Sequence, residues 1–275
     1  MNLKDLLGQQ NTGMVKPLAE WAKEQCNLMN STPGKLKGYD CPLCLNRGYI
    51  YEAENETTKT IRCNCMPIRK TLKHIAESGF GTEIERCTFD TFKTETKLTK
   101  RIKELSIEFV ELVKQGKTKW LYVGGQSGAG KTHVCTAITC ELLKSGKTAR
   151  YMVWIDDSVA IKAVATDDAT REKLISPLKN CDVLYIDDLF KPVKEKDREK
   201  SLPSGADIRL AFEIINYRSK QPQLITIISS ELALDEILEI DKALGGRINE
   251  KSEGYIMNIP NKEEYNYRLR KGDKG

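Results

Sequence analysis

Apolar positions change their rhythm near residue 118. Before it they fall at helical spacing; after it they gather into short runs separated by amphipathic stretches. Over residues 15–30, Leu18, Trp21, Ala22 and Leu28 recur at the period of an amphipathic helix. Pro33, Gly34 and Gly38 end that pattern. A second long helix is predicted over 95–115, where Leu98, Ile102, Leu105, Phe109 and Leu112 repeat the spacing. Between the two lie a cysteine-bearing unit, residues 39–67, and a connector, 68–94, that ends in "CTFDTFKT".

From 118 onward, five apolar runs read as strands: "KWLYV", "TARYMVWI", "CDVLYIDDLF", "QLITIISS" and "GYIMNIP". Helical stretches separate them: "THVCTAITCELLKSG", then "DDSVAIKAVA" with "DATREKLISPLKN", then "ADIRLAFEIINYRSK", and "ALDEILEIDKALGGRINEK" as one helix. Strands alternating with helices predict an α/β fold, a mostly parallel sheet covered on both faces. No internal repeat or low-complexity segment interrupts the pattern.

Composition narrows the class. At 275 residues, 40% hydrophobic and 30% charged, the chain can bury a real core. A formal charge of +5 is only mildly basic and does not by itself imply a nucleic-acid partner. No apolar run approaches the roughly 18 residues of a membrane span, so no membrane partner is expected. "MNLKDLLGQQ" places Asp5 and two glutamines where a signal peptide needs apolar residues. A reducing cytoplasm is therefore expected, with the nine cysteines serving as thiols or metal ligands.

"GGQSGAGKTH" carries the first chemistry. Gly125, Gly130, Lys131 and Thr132 fill G-x-x-x-x-G-K-[ST] between an apolar strand and a helix. Glycines let successive N–H groups curl toward phosphate oxygens, and the following helix adds its positive end. Gly125, Gln126, Ser127, Gly128, Ala129, Gly130, Lys131, Thr132 and His133 are the expected nucleotide contacts. Lys131 reaches the β- and γ-phosphates, and the Thr132 hydroxyl ligates Mg2+. Asp187 closes the strand "VLYID" and is the second magnesium residue; Asp188 is placed to orient the attacking water. At the end of the next strand, Ser229 and Ser230 are polar groups for the γ-phosphate, with Ser230 the favoured one.

Cys41, Cys44, Cys63 and Cys65 form C-x-x-C, eighteen residues, C-x-C. Two close pairs of thiolates suit a tetrahedral Zn2+. The intervening "YIYE" and "TTKTIR" are β-prone, which together predicts a zinc ribbon that needs its metal to fold. His74 is a possible substitute ligand.

An N-terminal zinc unit joined through "TFDTF" to "GGQSGAGKTH", "VLYIDDLF", "FEIINYRSKQPQLITIISSEL" and "LGGRINE" resembles the DnaC/DnaI-type replicative helicase loaders, phage versions included. The resemblance implies an AAA+ P-loop core with strand order 5-1-4-3-2. It implies three parts: residues 1–70, a helical and zinc-ribbon domain that binds the helicase; 71–94, a linker; and 95–275, the ATPase. It implies loading of the replicative DNA helicase onto single-stranded DNA, with ATP hydrolysed to ADP and phosphate. Residues 156–180 match the loader-specific insertion that helps subunits stack in a spiral or ring. Arg247 matches the arginine that reaches a neighbour's γ-phosphate; Arg218 matches the family block without an assigned role. Glu231 stands where the family often has Asn. Fifteen residues follow Pro260, so no helical lid is expected.

Basic segments are candidate DNA contacts: the loop 191–204, with Lys191, Lys194, Lys196, Arg198 and Lys200, and the tail, with Tyr265, Tyr267, Arg268, Arg270 and Lys271. Trp21 marks the first helix as a helicase-docking element. Three alternatives stay open at this level: a transposition helper ATPase of the IstB type, a P-loop small-molecule kinase, and a nucleotide-gated DNA-binding module.

Overall fold

The computed structural model describes residues 17–75, 86–191 and 202–268. The chain divides into two compact units, Met1–Met66 and Pro67–Gly275.

In the first unit, α1 (Leu18–Ser31) follows Pro17, whose missing N–H is not needed at a helix start. It buries Ala22 and Cys26. An antiparallel hairpin pairs β1 (Tyr49–Glu54) with β2 (Thr57–Arg62), closing through Asn55 at φ 57°. Asn30 stitches the helix to the hairpin: its side-chain oxygen accepts from Tyr51 N (3.0 Å) and its amide donates to Tyr51 O (2.7 Å). The hairpin's side chains are mostly exposed, so the buried centre of this unit is its four cysteines. The fourth opens α2 (Cys65–Ile75). The sequence pattern left most of this stretch as connector. Pro67 is tolerated in a first helical turn, and Ile68 and Leu72 sit at helical spacing, with Ile68 buried.

In the second unit, α3 (Lys97–Lys114) starts at a Thr96–Thr99 capping box and buries Ile102, Phe109, Val110 and Val113. Five parallel strands follow: β3 (Leu121–Gly125), β4 (Ala149–Val153), β5 (Val183–Asp187), β6 (Ile225–Ser229) and β7 (Ile256–Ile259). Their order in the sheet is β4-β5-β6-β3-β7. Numbered within the core, that is the expected 5-1-4-3-2. Every residue of β5 and β6 is buried, as both-face coverage requires. The helices are α4 (Lys131–Lys144), α5 (Trp154–Ala163), α6 (Asp168–Asn180), α7 (Gly205–Ser219), α8 (Leu234–Ile240) and α9 (Lys242–Lys251).

Two boundaries differ from the pattern. β4 stops at Val153, and Trp154 opens α5, because Asp157 accepts a hydrogen bond from Val153 N (2.8 Å) and Trp154 packs edge-on against Phe190. The single helix expected over 233–251 is two. Asp241 is extended (φ −152°, ψ 110°) and its carboxylate accepts from Leu244 N (2.7 Å), capping a new helix.

Arg218, left without a role by sequence, is fully buried. Its guanidinium donates to Thr226 Oγ1 (3.0 Å) and to the carbonyls of Leu178 (2.9 Å), Cys181 (2.9 Å) and Ile225 (2.6 Å). It thus satisfies open carbonyls at the end of α6 and ties them to the start of β6. No described helix is long and apolar enough to cross a membrane.

Candidate nucleotide site and four-cysteine cluster

Parallel strands bring Gly125, Asp187 and Ser229 to one edge of the sheet, the edge where open α/β sheets bind ligands. From there the loop runs to Gly130, which caps α4 at φ 84°. Its second constraint is steric: a Cβ at Gly130 would meet the Phe92 ring at 3.0 Å. Phe92 is buried although it lies in the expected linker. The same segment holds His133, whose Nε2 sits 3.0 Å from Thr88 O and 3.3 Å from Thr91 Oγ1.

Lys131 is buried, and its ammonium donates to Gly125 O and Gln126 O, both at 2.7 Å. Burial lowers its pKa, while Asp188, Glu231 and Asp187 act in the opposite sense. Thr132 Oγ1 donates to Asp187 Oδ1 across 3.3 Å, so the two expected magnesium residues lie side by side.

Asp187 is the most heavily hydrogen-bonded acid of the site. Tyr151 donates to its Oδ2 (2.7 Å), and Tyr185 (2.7 Å) and Ser229 donate to its Oδ1. Burial and the adjacent carboxylate push both phenols well above the ordinary tyrosine range, so they remain donors. Sequence reasoning missed both. Tyr185 was findable, two residues before Asp187 and hence on the same strand face; Tyr151 needed the strand order, which sets it opposite Tyr185.

Asp188 has φ 56°, and its carboxylate is 2.6 Å from Lys191 Nζ. Glu231 is 3.9 Å from the same ammonium. Ser229 also accepts from Asp188 N (3.1 Å). Ser230 is turned elsewhere: its hydroxyl donates to Leu189 O (2.7 Å) and accepts from Leu232 N (3.1 Å). Of the two serines, Ser229 is therefore the one that touches the site. Arg247 lies on α9, with Asn216 Oδ1 at 3.1 Å, Ala243 O at 2.7 Å and the Phe212 ring 4.8 Å from its guanidinium carbon. It lines a cleft of about 560 Å³ together with Lys220, Lys242 and Lys251. Lys194, Lys196, Arg198, Lys200, Arg270, Lys271 and the side chain of His74 lie outside the described residues.

In the first unit the sulfurs of Cys41, Cys44, Cys63 and Cys65 all lie within 4.8 Å of one another, and all four residues are buried. The Cys41–Cys63 and Cys44–Cys65 sulfur separations are 3.7 and 3.5 Å. A tetrahedral zinc with Zn–S near 2.3 Å spaces its sulfurs about 3.8 Å apart, so the donor set fits. Burial opposes ionisation of Cys44 and Cys63. The Gly48 amide and the other sulfurs still bring Cys44 down to about 6, whereas burial and its neighbours push Cys63 up to about 12.

The strand order and the loop, helix and acid at its edge define a nucleotide-binding protein of the AAA+ class. Residues 68–243 match the family described as IstB-like ATP binding protein, and the chain belongs to it. A Bacillus subtilis relative, the phage-like element PBSX protein XkdC, is 31% identical over 84% of this chain and 86% of its own length. The replicative helicase loader DnaC of Escherichia coli is 25% identical over 63% of this chain and 66% of its own. A crystal structure of the DnaC helicase loader superposes with a TM-score of 0.52 at 20% identity, over 66% of this chain and 99% of that one; it supports the fold.

Proposed function

We propose that this chain is an ATP-dependent loader that places the replicative DNA helicase on single-stranded DNA, working in the bacterial cytoplasm. The observation that carries the ATP reading is the 3.3 Å approach of Thr132 to Asp187 beside the phosphate loop. The helicase reading rests on the DnaC relative and on the cysteine unit, where Leu18, Trp21 and Leu28 of α1 are exposed. In this reading residues 1–70 bind the helicase, 71–94 link, and 95–275 form the ATPase.

Each residue then has a task. Loop N–H groups and the start of α4 receive the phosphates. Lys131 exchanges the Gly125 and Gln126 carbonyls for phosphate oxygens. Thr132 and Asp187 would hold Mg2+, which would offset phosphate charge when bound. Tyr151, Tyr185 and Ser229 fix the Asp187 carboxylate. Asp188, released from Lys191, orients the attacking water. Arg247 serves a neighbouring copy in a ring or spiral, giving its cation to that copy's nucleotide. Ser230 acts indirectly, holding the turn after β5. The four cysteines would hold Zn2+, which would keep the docking unit folded.

Capture of the host replicative helicase by tagged protein tests this, with wild type and Lys131→Ala compared in the presence and absence of ATP. Nucleotide-dependent capture by wild type alone is expected; no capture of the helicase removes the reading. The family match favours one rival, a transposition helper that acts on a transposase. The cysteine cluster, which lies outside the matched residues 68–243, supports the loader reading over that rival. Product analysis separates a small-molecule kinase, which would phosphorylate an acceptor and not release free phosphate.

A further inference from the structure

Residues 259–268 run along the phosphate loop. Ile259 O accepts from Gln126 N (3.2 Å), and its position leaves no room for a Cβ on Gly125, which would lie 2.1 Å away. Lys262 N donates to Gln126 Oε1 (2.6 Å). Tyr267 N donates to Gly128 O (3.1 Å), and the Tyr267 hydroxyl lies 3.4 Å from Lys93 O. Asn266 Oδ1 fills the space where Gly128 would carry a Cβ, at 2.4 Å, and Arg268 Cγ is 3.4 Å from the same point. The segment therefore engages the loop at both ends and ties it to the residues before α3.

The tail residues Tyr267 and Arg268 read, from sequence, as a DNA-binding pair. Their placement gives a different assignment. The amide and the hydroxyl of Tyr267 already have partners in this unit. Arg268 is exposed beside Gly128, and its guanidinium has no acidic partner among the described residues. The site needs such a cation. Three carboxylates, Asp187, Asp188 and Glu231, act on Lys131, and Lys191 lies between two of them. A polyanion entering this loop meets two ammonium groups, Lys131 and Lys191, against three carboxylates.

We propose that residues 259–268 form one wall of the ATP site and that Arg268 contacts the nucleotide phosphates in the same subunit. This inference rests on the ATP reading above. Its test is a titration of the full-length protein with a fluorescent ATP analogue and Mg2+, at low and high salt. Wild type, Arg268→Lys, Arg268→Ala and Arg268→Glu are compared, and single-stranded DNA affinity is measured in parallel. The expected order follows charge: Lys near wild type, Ala weaker by about five- to tenfold, Glu weaker still, with the gaps closing at high salt. DNA affinity stays constant across the series. Equal ATP affinities, a Lys variant as weak as Ala, or a change in DNA affinity alone overturns the assignment. Failure of wild type to bind the analogue at all is a different result, and it removes the ATP reading itself.

Discussion

The Tyr151 hydroxyl lies 2.7 Å from Asp187 Oδ2, donated across from the neighbouring strand to a carboxylate that forms no salt bridge among the described residues. The hydroxyls of Thr132, Tyr151, Tyr185 and Ser229 hold this buried carboxylate in place. Tyr151→Phe removes one donor without changing shape. A hydrogen bond to a charged group is worth about 1.5–3 kcal/mol, so urea unfolding should show a loss of that order. Nucleotide binding should also need more Mg2+, because a carboxylate held on one side only is less well aimed. An unchanged Mg2+ requirement would confine Tyr151 to stability.

Arg218 makes the reverse arrangement, a buried cation held by carbonyls and a hydroxyl. Lysine cannot reproduce a planar fork that serves α6 and β6 together. Arg218→Leu strands several buried acceptors and should cost about 1–3 kcal/mol for each left unsatisfied; Arg218→Lys should recover only part of it. Chemical denaturation of both variants is the measurement.

Glu213 joins α7 to α6 through Arg171 and Lys179, the latter at 2.7 Å. Burial pushes its carboxyl up, but donation from the two cations wins and holds it below the usual 4.5. A depressed folded value means that the stabilisation is present above the unfolded pKa and is lost as pH falls through the folded one. Wild type should therefore exceed Glu213→Gln in stability at pH 7, and the gap should close below about pH 4.5. A gap that does not narrow as pH falls from about 7 to about 3 contradicts the ion-pair account.

The four sulfurs predict a metal stoichiometry. Wild type should carry about one zinc per chain, and Cys41→Ser should carry much less. Proteolysis should then become fast within residues 17–66, where the hairpin has little other buried surface, while ATP binding by the second unit persists. Full zinc in the variant would exclude Cys41 as a ligand.

Much of this was legible in the chain. The period change near 118 gave the strands and helices. The glycine spacing gave the loop between β3 and α4, and the paired cysteines came together as their spacing required. What escaped was set by contacts distant in sequence. Tyr151 meets Asp187 only because β4 lies beside β5 in register. Ser229 meets Asp187 at the end of β6, while Ser230, one residue beyond the strand, turns its hydroxyl to Leu189 O. Phe92 and Tyr267 come from segments with no periodic pattern, and it is the phosphate loop that gives both a place. The break at Asp241 was a local signal, an acid three residues before Leu244, hidden inside a continuous apolar repeat.

The central claim is that nucleotide held at the Thr132–Asp187 edge governs delivery of the helicase to DNA. The most direct measurement is the amount of replicative helicase retained on closed single-stranded DNA circles after incubation with this protein and ATP. Wild type should raise it strongly, while Lys131→Ala and Arg247→Ala should not. Equal retention with all three proteins, or with none added, would contradict the account.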